Sequence, residues 1–146
     1  MQPYVLVVDD FDDGREMVAE YLTFRGLRVV TATNGAEAVA IVRHDPPALV
    51  LMDLSMSPMD GWEATRHLKA DPRTQDVIVV AVTAHALSSD EGKARQSGAD
   101  AFVPKPFDLA ALGDAIHRVM AEGRPALHCL SPAELHIQHR RAVAKT

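Results

Sequence analysis

The chain holds a single cysteine, Cys129, so no intrachain disulfide can form and nothing argues for an oxidising, secreted setting. Long apolar runs are also missing. The longest, Val77–Val82, falls far short of the ~18 residues a membrane-spanning helix needs. The first strand-like run begins at Tyr4, which leaves no space for a secretory leader, and a cytoplasmic protein without membrane contact is expected. Nor is there an excess of positive charge. The formal net charge is −5. Four of the 15 basic side chains but one of the 20 acidic ones lie after Gly123, so residues 1–123 carry a net of −8. An acidic body disfavours duplex nucleic acid as its main partner. Internal repeats and low-complexity segments are absent. What remains is ordinary globular material: 146 residues, 47% hydrophobic and 24% charged, sized for one domain. Such a chain buries ~70% of the surface it exposes when unfolded, so its core needs neither metal nor disulfide.

Four apolar runs punctuate the chain: Tyr4–Val8, Ala48–Met52, Val77–Val82 and Ala101–Val103, with Arg28–Ala32 as a weaker fifth. Val77–Val82 is β-branched throughout except for Ala81, with no polar alternation, the pattern of a parallel strand buried on both faces. Helical stripes lie between the runs. Met17, Val18, Tyr21 and Leu22 follow Asp12 and Asp13 as cap and first-turn acids; Ala36, Val39, Ala40 and Ile41 follow Asn34; Leu109, Leu112, Ile116, Val119 and Met120 follow Asp108. Gly26 and Gly98 stand where helix ends require positive φ. Strands alternating with helices predict a doubly wound, five-stranded parallel sheet, an α/β fold with right-handed crossovers. In such sheets function gathers at the carboxyl ends of the strands.

Those ends carry a distinctive set. The first strand runs into Asp9 and Asp10, the third into Asp53, the fourth into Thr83 and the fifth into Lys105-Pro106. Taken singly, each has an ordinary structural reading as a solvated loop, a turn or a helix cap. Together they put three carboxylates, a hydroxyl and an ammonium on one rim. Crowded carboxylates repel and call for a cation, and an all-oxygen set suits Mg²⁺, which retains water and accepts phosphate oxygens. Lysine and threonine can hold phosphoryl oxygens. The chemistry implied is a carboxylate that accepts a phosphoryl group under Mg²⁺ control.

Val7-Val8-Asp9-Asp10, Leu51-Met52-Asp53-Leu54, Met59-Asp60-Gly61, Ala81-Val82-Thr83-Ala84 and Lys105-Pro106-Phe107 occur in that order. In these motifs residues 4 to about 121 resemble the CheY-like receiver domains of bacterial two-component response regulators. The resemblance implies a flavodoxin-like (βα)5 fold in which Asp53 is phosphorylated by a sensor histidine kinase or a histidine phosphotransfer protein. It implies Mg²⁺ held by Asp10, Asp53 and the main-chain carbonyl of Ser55, with Asp9 acting through water. Thr83 would move to meet the phosphoryl group and Lys105 would pair with it, ahead of a cis Lys105–Pro106 bond.

Three features depart from the family's usual pattern. Ser57 stands four residues after Asp53, where proline is usual, and Pro58 follows one later. Phe102 replaces the usual tyrosine; it is either a switch residue turning inward with Thr83 or simply a core aromatic. Ser55 and His85 occupy the positions that tune phosphoryl lifetime in relatives, and a lone histidine there also reads as a surface residue.

A compositional break at Gly123-Arg124-Pro125 divides a receiver domain, residues 1–122, from a basic tail, residues 123–146. Ser131-Pro132-Ala133-Glu134 fits a capping box, so a short extra helix over about 132–144 is expected. The tail reads either as a solvated extension or as a helix docked on the body or on a second copy, which leaves a homodimer open. His128, Cys129, His136 and His139 follow no standard zinc spacing. The expected function is a stand-alone receiver whose phosphorylation switches binding of a downstream protein, not an enzyme beyond its own phosphorylation and dephosphorylation. The alternatives are a phosphorelay intermediate feeding a histidine phosphotransfer domain, and a Mg²⁺-dependent aspartyl-phosphate phosphohydrolase.

Overall fold

The computed structural model describes residues 3–54, 61–83, 98–105 and 107–130. Every run singled out above forms a strand: β1 (Val5–Val8), β2 (Val29–Ala32), β3 (Leu49–Asp53), β4 (Ile78–Thr83) and β5 (Ala101–Pro104). They join in one sheet of order β2-β1-β3-β4-β5, and every pairing is parallel. The α-helices among the described residues are α1 (Asp12–Phe24), α2 (Gly35–His44), α3 (Gly61–Ala70) and α4 (Leu109–Glu122). The helix expected before Gly98 and the one expected over 132–144 lie outside the described residues.

Strand side chains alternate between two cores, as the two-residue period of a pleated strand dictates. Val5, Val7, Leu49, Leu51, Val80 and Val103 pack with Val18 and Leu22 of α1 and with Leu112, Ile116 and Val119 of α4. Leu6, Val8, Val50, Met52 and Val79 pack on the other face with Ala38, Val39 and Val42 of α2 and with Ala64 and Leu68 of α3. The sheet is therefore sandwiched, and its polar chemistry is confined to its edges and rims.

Local sequence signals account for most helix boundaries. The Asn34 side chain accepts the Glu37 N–H at 2.8 Å, and the Asp108 carboxylate accepts the Ala110 N–H at 3.0 Å. Gly26, Gly98 and Gly123 all adopt positive φ. Two helix assignments need correction. The N-cap of α1 is Phe11, with Asp12 and Asp13 already inside the first turn, because Asp9 satisfies the Phe11 N–H from outside the helix. In α2 the buried stripe is Gly35, Ala38, Val39 and Val42, while Ala36 and Ala40 are exposed. Alanine is small enough to sit on either face, so it marks a stripe poorly.

From Gly123 as far as Leu130 the chain stays packed. Arg124–Leu130 forms a 3-10 helix against α4 and β5, burying Ala126, Cys129 and Leu130 in the same core as α1 and α4. Arg124 is anchored by Asp100 at 2.6 Å and by the Asp76 carbonyl at 2.9 Å. Asp100 also accepts the Lys69 ammonium at 2.7 Å and the Val79 N–H at 2.8 Å. Burial alone would raise the Asp100 pKa; Lys69, Val79 and Arg124 together outweigh it and hold the carboxyl below its ordinary value. This cluster ties the amino-terminal ends of β4 and β5 to α3 and to the 3-10 segment, on the rim opposite the strand ends that carry the motifs.

A docked segment and a frayed one respond differently to truncation of Leu130, whose side chain is fully buried. Leu130→Ala is expected to lower unfolding stability by about 2–5 kcal/mol in urea titrations. An unchanged midpoint contradicts the packing of Arg124–Leu130.

Candidate functional site

Parallel pairing sets the strand ends side by side. Val8 is opposite Met52, and Asp53 is opposite Val82, so Asp9, Asp53 and Thr83 leave the sheet at neighbouring positions on one rim. Thr83 pairs with Pro104, which brings Lys105 to the same edge. The fold therefore assembles residues that are up to 96 positions apart in the chain.

Asp9, Asp10 and Asp53 each offer a carboxylate oxygen, and these atoms lie within 4.8 Å of one another. Asp53 is buried, 5% exposed, whereas Asp10 is exposed. The Lys105 ammonium stands 3.5 Å from Asp53 Oδ2 and 4.0 Å from Asp9 Oδ2. At this spacing the more buried pair, Asp9 and Asp53, repels by about 3 kcal/mol at an effective dielectric of ~20, while solvent screens the exposed Asp10. One lysine leaves the ionised cluster with a net charge of −2, which a single divalent cation neutralises. The donor set is all oxygen, which fits Mg²⁺.

Asp9 carries the cost of its half-buried setting. Burial raises its pKa first; the Phe11 N–H, 3.0 Å from Oδ1, opposes this, Asp53 raises it further, and Lys105 lowers it. The outcome is a carboxyl held above its ordinary value.

Gly61 fixes the approach of α3. A Cβ there would lie 1.9 Å from the Asp53 carbonyl oxygen, so only glycine lets the start of α3 pack against the end of β3. Thr65 Oγ1 donates to the Gly61 carbonyl at 2.7 Å and holds that turn.

Phe102 is half-buried and packs beside Leu54 and Ala81, together with Trp62 and Ala99. Thr83 is placed by its backbone alone. Ser55, His85 and Pro106, including the Lys105–Pro106 bond, lie outside the described residues. Cys129 Sγ is 3.6 Å from His128 Nε2, while His136 and His139 also fall outside. Two contributors escaped the sequence reading. Arg15, on an otherwise ordinary helix, is buried and reaches back to the Asp9 carbonyl at 3.0 Å. The Asp100–Lys69 pair is invisible locally because 31 positions separate its members.

A doubly wound parallel sheet with an acidic, lysine-flanked pocket at its strand ends is the arrangement of the receiver class of signalling modules. The family model for the response regulator receiver domain matches residues 5–117. The chain belongs to that family, the receiver modules of two-component signalling. The polar-differentiation response regulator DivK of Brucella anthropi is 30% identical over 122 residues, covering 84% of this chain and 99% of DivK. The chemotaxis protein CheY4 of Vibrio cholerae superposes with a TM-score of 0.75 at 26% identity, over 82% of this chain and 99% of that one. The receiver domain of sensor histidine kinase PA1611 of Pseudomonas aeruginosa gives 0.76 at 28% identity, over 84% of this chain and all of that one. That domain was solved with a magnesium ion coordinated in its active-site cleft. The five-stranded, all-parallel CheY-like architecture agrees with the fold expected from the sequence. Among the described residues no helix is long and apolar enough to cross a membrane.

A carboxyl whose folded pKa is raised stabilises the fold only while protonated. Its contribution is present below the unfolded pKa and is lost as pH rises through the folded one. Asp9→Asn removes this penalty while keeping an oxygen for the Phe11 N–H. Without divalent cations the variant is expected to be more stable than the parent at neutral pH, with the difference shrinking as the medium is acidified. Thermal unfolding across pH checks this; a variant less stable at neutral pH contradicts the sign.

Proposed function

We propose that the protein is a phosphorylation-controlled switch in which Asp53 accepts a phosphoryl group from the phosphohistidine of a sensor kinase or phosphotransfer protein. The observation that carries this reading is the setting of Asp53: buried, 3.5 Å from the Lys105 ammonium and crowded by Asp9 and Asp10. In the transfer, an Asp53 carboxylate oxygen bonds to phosphorus as the phosphorus–nitrogen bond of the donor breaks. The departing imidazole keeps that electron pair and takes up a proton. Asp10, Asp53 and the Ser55 carbonyl would hold Mg²⁺, and Asp9 would contribute through water. Bound there, Mg²⁺ supplies charge neutralisation for an anionic acceptor meeting an anionic phosphoryl group.

Lys105 pairs with the phosphoryl oxygens and takes over charge that the carboxylates cannot carry. Thr83, on the strand beside Asp53, donates its hydroxyl to the same group. Ser55 and His85 tune how long the acyl phosphate survives. The protein catalyses its own phosphorylation and dephosphorylation and turns over no separate substrate. A kinase donor of this kind sets its place of action in the cytoplasm.

The output is a change of shape on the face made by β5 and α4, to which the sequence alone would add residues 89–98. As Thr83 is drawn to the phosphoryl group, Phe102 turns toward the space beside Ala81 and the downstream protein reads the altered face. Phe102 has no hydroxyl, so it offers that protein apolar contact without a directional bond. Arg124–Leu130 packs on α4 and β5, so any partner meets a surface this segment shares. A small difference in affinity between the two states is enough for signalling.

Asp53→Asn keeps the shape and removes the nucleophilic oxygen. It is expected to abolish covalent labelling by acetyl phosphate or a kinase, with an unchanged circular dichroism spectrum; label at comparable rate on another aspartate moves the site elsewhere. Adding beryllofluoride with Mg²⁺ is expected to shift amide resonances of residues 89–120 more than those of α2. Shifts confined to the strand-end rim leave the phosphorylation site standing and remove the switch.

A further inference from the structure

Arg15 is the buried cation of α1: the residue is 9% exposed, on a helix whose other buried members are Val18 and Leu22. Burying a guanidinium costs several kcal/mol unless its donors are satisfied. Its partners are specific. One terminal nitrogen donates to the main-chain carbonyl of Asp9 at 3.0 Å, and the other to Asp12 Oδ1 at 2.6 Å. The Asp12 side chain is 76% exposed, so solvent screens that pair and it contributes little. The bond to the Asp9 carbonyl is the shielded one.

That bond spans the turn from β1 to α1, the segment presenting Asp9 and Asp10. The same turn is closed from the other side by the Phe11 N–H on Asp9 Oδ1. Gly14 completes the enclosure: a Cβ there would stand 3.2 Å from Asp9 Oδ2 and 3.3 Å from the Phe11 ring. The α1 N-cap makes no side-chain hydrogen bond, so the turn has no conventional cap holding it. Three carboxylates that repel one another need an external restraint to stay within 4.8 Å.

We propose that Arg15 is a positioning residue for the acidic cluster: by clamping the Asp9 carbonyl it holds Asp9 and Asp10 in the geometry that binds the divalent cation. This rests on the metal-dependent phosphoacceptor reading, and its primary readout, Mg²⁺ affinity, needs no phosphoryl donor. An inert Asp53 leaves that readout intact, so the two ideas fail separately.

The test is a Mg²⁺ titration followed by the fluorescence of Trp62, the single tryptophan, which packs beside Leu54 next to Asp53. Arg15→Met keeps the buried aliphatic volume and removes the clamp. Its Kd for Mg²⁺ is expected to rise by about tenfold, within the 10–100-fold range for lost outer-shell partners. Phosphorylation by acetyl phosphate should then need more Mg²⁺ for half-maximal rate yet reach the parental maximum at saturation. Arg15→Lys keeps a cationic donor on a shorter stem without the guanidinium fork and is expected to restore affinity in part, while Asp12→Asn, which loses the exposed pair alone, is expected to bind as the parent. Parental Mg²⁺ affinity in Arg15→Met overturns the proposal. So does a loss in Asp12→Asn equal to that in Arg15→Met, because the ion pair would then be the relevant contact. If Arg15→Met fails to fold, Arg15→Gln, a shorter and uncharged side chain, takes its place, and parental Mg²⁺ affinity in that variant overturns the clamp.

Discussion

Three carboxylates within 4.8 Å of one another at the end of a hydrophobic sheet are the constraint around which this protein is organised. Their mutual repulsion works against folding, and Lys105 offsets part of it. Burial first, and Asp53 beside it, hold the Asp9 carboxyl above its ordinary value, so the pocket is an unfavourable place for a further negative charge. The fold accepts this stress because both faces of the sheet are buried in extensive apolar cores. Active sites are often places where local stability is given up for chemistry.

The rest of the architecture follows from keeping that rim in place. Parallel register sets Asp53 beside Val82, and Thr83 beside Pro104, so a slip of one residue would send the site side chains to the wrong face. Gly61 lets α3 seat directly on the Asp53 carbonyl, and Arg15 reaches back to the Asp9 carbonyl from α1. On the opposite rim, Asp100 gathers Lys69, Val79 and Arg124 into a satisfied polar cluster that ties the sheet to the 3-10 segment. One rim is closed and electrostatically settled, and the other is open and charged.

Much of this was legible in the sequence, for reasons that differ by element. Strands such as Val77–Val82 announce themselves because burial on both faces removes every polar residue. Asn34 and Asp108 identify helix starts because their side chains reach an N–H two or three residues on. The gathering of Asp9, Asp10, Asp53 and Lys105 was legible because strand ends in a parallel sheet converge, so motifs far apart in the chain become neighbours. Arg15 was not legible, since an arginine on a helix normally reads as solvated and nothing local shows that it folds inward. Arg124–Leu130 escaped for a different reason. Its buried Ala126 and Cys129, with Leu127 and Leu130 alongside, recur every three residues, a 3-10 period, and Gly123-Arg124-Pro125 reads as a break. Ala36 and Ala40 misled because a methyl group tolerates either environment.

The acidic cluster is expected to be stressed when empty and relieved by a divalent cation. The most direct test of this is the unfolding temperature of the unphosphorylated protein against Mg²⁺ concentration at neutral pH. A ligand bound only by the folded state stabilises it by RT ln(1 + [L]/Kd). The account predicts a midpoint that climbs with Mg²⁺ along that curve and a climb that disappears in Asp10→Ala. A midpoint indifferent to Mg²⁺ over the millimolar range, in a protein that is otherwise folded, would contradict it.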